Sequence, residues 1–185
     1  MRTEYAQPPL AAKMVSRVLG WSGIDPAGLI EPVCAKILSL ACDRSTERDF
    51  RRWCASAEAP AALASFDRKW AELLFDSVVL HTYAHQRYAE NVAVAKFMPL
   101  WIYDCPTEYC KSHRSVDRFV ASHDDPVWQS IYPPNGWLCG CSVLAITEEG
   151  LKDELGHHHR EMPQTLLDTC ARWIDERPDA IYAMI

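Results

Sequence analysis

Apolar residues recur along this chain in two different periods, and the change falls close to Pro99. Before it they repeat at steps of three and four, the period of one helical face. Leu10, Met14, Val18 and Leu19 mark a first helix that Gly20 and Gly23 should end. Asp25-Pro26 reads as the cap and first residue of a second helix carrying Leu29, Ile30, Val33, Ile37, Leu38 and Leu40. Pro32 shifts that start later if it has to sit in the first turn. Ser45 is placed to cap a short third helix to about residue 55. Ala59-Pro60 then opens the longest stripe, running through Leu63, Phe66, Trp70, Leu73, Leu74, Val78, His81, His85 and Tyr88. That stripe predicts about eight turns of helix, ending before Pro99 because a residue ahead of proline avoids helical geometry.

Beyond Pro99 the spacing shortens to that of strands: one over Leu100-Trp101-Ile102-Tyr103, a weaker one over residues 118–122, and a third over residues 142–146. Thr147 should cap a short helix that Gly156 terminates, and Pro163 starts a last amphipathic helix that stops before Pro178. The expected fold class is α+β. Residues 1–97 form a helical region, residues 98–156 a small β-containing module, and residues 157–185 a C-terminal helical extension.

Composition places the chain in the globular class, with 185 residues of which 49% are hydrophobic and 24% charged. No apolar run reaches the roughly 20 residues needed to span a bilayer, and the N-terminus lacks the apolar core of an export signal. A cytosolically made protein with no membrane partner is therefore expected. The net charge of −6 argues against a general or sequence-specific nucleic-acid binder. Arg48, Arg51 and Arg52 are balanced by Glu47 and Asp49 and read as a solvated helix face. Eight cysteines without an export signal imply thiols rather than disulfides. Cys34, Cys42, Cys54 and Cys170 sit singly in apolar helical surroundings and read as small hydrophobes.

The other four cysteines are concentrated in residues 101–143, together with His113, His123, Trp101, Trp128 and Trp137. Cys110-x2-His113 lets two side chains converge from one turn, and Pro133-Pro134-Asn135-Gly136 returns the chain toward Cys139-x-Cys141. Cys110, His113, Cys139 and Cys141 could thus close a tetrahedral structural zinc site, with Cys105 or His123 as reserve ligand. Reduced thiols packed in a small core, or a redox pair, account for the same residues. His81 and His85 are four apart but lack the glutamate of a zinc-protease motif, and His157-His158-His159 reads as a solvated run. Asp124-Asp125-Pro126 reads as a turn, and Trp128 and Trp137 as local core. The enzymatic alternative is a zinc-dependent hydrolase or nuclease built on His113 and the cysteines, or a thiol nucleophile with His113 as base. The stretch lacks the His-x-Glu and Cys-x-x-Cys of the zinc deaminases, and no oxyanion hole is legible.

Residues 88–156 resemble the phage Mu F-like head morphogenesis family, minor head proteins of tailed phages. The resemblance runs through Trp101-Ile102-Tyr103, Asp104, His113, Asp124-Asp125-Pro126-Val127-Trp128 and Tyr132-Pro133-Pro134-Asn135-Gly136-Trp137 to Cys139, Cys141 and Val143. Two positions depart from the pattern: Arg118 stands where the family usually has glycine, and Gly140 where it usually has arginine. The resemblance implies a non-enzymatic structural protein of the virion head, present in the host cytoplasm during assembly. It implies major capsid, portal and scaffold proteins as partners, with incorporation in several copies. A multi-copy capsid component of cement type is a further alternative.

Overall fold

The structure, a computed structural model, describes residues 9–106, 111–155 and 173. These divide into two compact units, and the boundary falls inside one long helix, between residues 81 and 82.

The first unit is helical. Helix α1 (Pro9–Trp21) buries Ala11, Met14, Val15, Val18 and Leu19, a stripe at three- and four-residue steps. It ends where expected: Gly23 takes φ 82° and Ile24 N–H bonds back to Leu19 O at 2.9 Å. Helix α2 (Ile30–Cys42) starts later than Asp25-Pro26 suggests. Asp25 Oδ1 instead accepts the Ala27 N–H in a local turn, and Pro32 lies in the first helical turn, where its missing N–H costs nothing. Helix α3 (Glu47–Cys54) is capped by Thr46 rather than Ser45, because Asp49 three residues on returns a carboxylate to the Thr46 N–H at 3.0 Å. Phe50 of α3 stacks at 5.9 Å on Phe75, and Trp21 lies 6.1 Å from Trp70.

The long helix begins nine residues after Ala59. Residues Ala61–Leu63 form a single 3₁₀ turn, and α4 runs from Arg68 to Val94. Asp67 decides the start: its carbonyl accepts from Ala71 N–H at 3.0 Å and its carboxylate from Lys69 N–H at 2.8 Å. That makes Asp67 a stronger cap than Pro60.

The second unit takes α4 from Thr82 onward and a three-stranded antiparallel sheet in the order β2-β1-β3. The strands are β1 (Leu100–Asp104), β2 (Val120–Ser122) and β3 (Ser142–Ile146). In register, Trp101 faces Ala121 on one side and Ala145 on the other, and Tyr103 faces Val143. Trp101, Ile102 and Tyr103 are all buried, so the central strand is covered on both faces. One face carries the core: Trp101, Tyr103, Cys105, Val116, Trp128, Ile131, Tyr132, Cys139, Cys141 and Val143. Tyr88 of α4 packs edge-on against Tyr132 at 4.9 Å and Trp101 at 5.8 Å.

Strand β2 is shorter than expected because Arg118 has φ 63° and occupies the third position of the turn closed by Phe119 N–H to Val116 O at 2.9 Å. Asp124-Asp125 is a turn, as read: Asp125 Oδ1 accepts from Val127 N–H at 2.8 Å and leads into the short helix α5 (Trp128–Ile131). Thr147 Oγ1 accepts from Gly150 N–H at 3.0 Å and starts α6 (Glu148–Leu155). Gly156, the histidine run and the helix expected from Pro163 lie outside the described residues, except Trp173, which is buried and meets Trp137 edge-on at 5.4 Å. Among the described residues no helix is long and apolar enough to cross a membrane.

Candidate metal centre

Three of the residues singled out in the sequence meet inside the second unit. His113 arrives on the 3₁₀ turn Lys111–Val116, and Cys139 and Cys141 on the segment entering β3. That segment is turned by Leu138, whose φ of 56° sits in the bend closed by Cys139 N–H to Gly136 O at 3.2 Å. Alternate residues then share one face, which carries Cys139, Cys141 and Val143 inward together. All three are buried, with Cys139 5% and Cys141 4% exposed and His113 3%.

His113 Nδ1 lies 3.6 Å from Cys139 Sγ and 3.6 Å from Cys141 Sγ, and the three ligand atoms fall within 4.8 Å of one another. Zinc bonds of about 2.0–2.1 Å to nitrogen and 2.3 Å to sulfur, opened to the tetrahedral angle, put the two atoms about 3.6 Å apart. The two N···S spacings therefore match the nitrogen–sulfur edge of a zinc tetrahedron, and His113, Cys139 and Cys141 form a group that could hold a metal ion.

The remaining sequence candidates fall elsewhere. Cys110 lies outside the described residues. Cys105 is buried at the end of β1, its N–H bonded to Asp117 Oδ1 at 3.0 Å, and stands apart from the three-residue group. His123 lies beyond β2 with Nδ1 3.3 Å from Pro99 O and its ring 6.2 Å from Trp101. His81 is buried on α4, and neither it nor His85 belongs to a three-ligand cluster among the described residues.

Two residues at this centre carried no chemistry in the sequence reading. Tyr103 is fully buried on β1 with its hydroxyl against Cys141, and burial first, then the two nearby sulfurs, pushes its phenol well above the usual tyrosine range. Asn135, 2% exposed, donates from Nδ2 to Tyr103 Oη at 3.1 Å and to Ile131 O. The asparagine of the Pro-Pro-Asn-Gly run thus ties the returning loop to α5 and β1. Gly136 follows directly, 3.7 Å from the His113 ring at the point where a Cβ would stand. Period-two alternation along β1 puts Tyr103 on the same face as Trp101 and Cys105, and that was the available signal.

Over 94 residues the chain is 33% identical to the Mu-like prophage FluMu F protein of Haemophilus influenzae, a match covering 46% of this chain and 22% of that protein. Over 78 residues it is 38% identical to a protein of Escherichia phage Mu named, provisionally, as capsid assembly protein F, covering 40% of this chain and 17% of that one. The matched segment resembles these two phage F proteins. The chain spans less than a quarter of the length of these curated relatives. No family model matches the chain. No solved structure matches it either.

Proposed function

We propose that this chain is a head-associated phage protein that acts structurally in virion assembly, in the manner of a minor head protein. Similarity to a protein named for capsid assembly is the observation that carries this reading. Under it the chain resides in the virion head, passes through the host cytoplasm during assembly, and meets the major capsid, portal or scaffold proteins. The resemblance runs over residues 88–156, which take in the proposed β-containing module of residues 98–156.

Within that module the proposed role of the His-Cys-Cys group is a structural zinc site, with Cys110, three residues before His113, as fourth ligand. Zinc with four protein ligands has no open position for water or substrate. Its binding energy would go into folding, which suits a module whose described residues form three short strands. Burial of His113, Cys139 and Cys141 favours this over a hydrolase or thiol-nucleophile role, because a reacting group has to be reached by its substrate.

Mass spectrometry of gradient-purified phage heads tests the reading. The chain should co-migrate with the major capsid protein at fixed stoichiometry, and deleting its gene should yield defective heads. Recovery only from the soluble fraction, with normal heads in the deletion, would overturn it.

A further inference from the structure

The buried pair Tyr103–Asn135 has a geometry that packing alone does not require. A tyrosine hydroxyl has one proton to give and lone pairs to receive. Asn135 Nδ2 already donates to the Tyr103 oxygen at 3.1 Å, so the phenolic proton has to point elsewhere. The acceptor beside it is the side chain of Cys141. Asn135 itself is held by its second donation, to Ile131 O, which fixes which end of the amide faces the tyrosine. The chain is therefore directed: backbone carbonyl, asparagine amide, phenol, sulfur.

Every link of that chain is buried, Tyr103 completely and Asn135 to 2% exposure. Burying polar groups at such depth costs unless each has a partner of the right kind. A core tyrosine that merely filled space would be served as well by phenylalanine. Here the hydroxyl stands between an amide that can only donate to it and a sulfur that, as a thiolate, can only accept.

We propose that Tyr103 is a positioning residue of the metal centre, donating its hydroxyl proton to the Cys141 thiolate under the control of Asn135. This rests on the reading of His113, Cys139 and Cys141 as metal ligands. A hydrogen bond to a ligating thiolate orients its lone pairs and draws off part of its charge, which fixes the ligand and slows its exchange. Partners of this kind typically carry 10- to 100-fold of a site's metal affinity.

The test uses the full chain loaded with Co²⁺ as the probe, because its thiolate charge-transfer band reports the electron density on sulfur. Wild type should bind one Co²⁺ with that band. Tyr103→Phe should still bind one, with the band moved to lower energy and release to a chelator about 10-fold faster. Asn135→Ala, which keeps the phenol but not its anchor, should move both readouts in the same direction and decides the matter should Tyr103→Phe fail to fold. A metal-binding variant with wild-type band and release rate overturns the role of Tyr103 and leaves the metal centre standing. No thiolate band in wild type overturns the metal reading itself.

Discussion

The side-chain amide of Asn91 donates to the backbone carbonyl of Val143 at 2.9 Å and to Tyr132 Oη at 3.3 Å. One buried residue of α4 thereby holds both the edge strand β3 and the aromatic that follows α5. Removing it strands a buried carbonyl. Asn91→Ala is expected to lower the stability of the second unit by about 1–3 kcal/mol, the cost of a buried acceptor left without its donor. Thermal denaturation followed by tryptophan fluorescence checks this, since Trp101 and Trp128 lie in the same core. A midpoint equal to wild type would show that the amide is dispensable.

Arg118 stands in a turn whose third position favours glycine, and its φ of 63° is the reason. An L-residue with a side chain pays roughly 1–2 kcal/mol for left-handed geometry, while glycine pays mainly chain entropy. Arg118→Gly should therefore keep or raise the stability read from thermal melting, by up to about 1 kcal/mol. Arg118→Val should lower it by at least about 1 kcal/mol, because a branched Cβ fits that region worst. The reverse order of the two variants would contradict the geometry.

Asp76 lies on the exposed side of α4, and its carboxyl is raised to about 6 by partial desolvation first and then by the charges of Glu47 and Glu72. The sign follows from that direction. Below the unfolded value near 3.8 both states hold the proton and there is no penalty. As pH rises to about 6 the unfolded chain ionises first, so the penalty grows, and it is complete above that. Asp76→Asn is expected to stabilise the protein at pH 7.5 by no more than about 1 kcal/mol, after allowance for solvent screening, and to change nothing at pH 3.5. Melting curves at the two pH values check it, and equal gains at both would contradict the electrostatic cause.

Local chemistry was the legible part of this fold. Thr147 announces α6 and residues 142–146 read as β3, because a hydroxyl before an acidic turn and a short alternating run need no distant partner. The missed boundaries have local causes too, but competing ones. Asp67 outcompetes Pro60 as a helix start, Thr46 with Asp49 outcompetes Ser45, and a left-handed Arg118 cuts β2 short. At the candidate site, residue type and spacing named Cys110, His113, Cys139 and Cys141, of which the last three meet in the structure. What spacing could not supply was Tyr103 with Asn135, 32 residues apart, or Asn91 with Val143, 52 apart. Such pairs exist only once the sheet has formed, and nothing in a polar residue's neighbours along the chain marks it as buried.

The central claim, that the β-containing module is closed by a metal on His113, Cys139 and Cys141, is tested most directly by elemental analysis of the purified full chain, set beside Cys139→Ser. The account predicts about one zinc per wild-type chain and little or none in the variant. It also predicts a lower melting midpoint for the variant, and for wild type after chelation, because metal binding and folding of the module are coupled. Wild-type protein free of metal, with a melting curve that neither chelator nor Cys139→Ser alters, would contradict it.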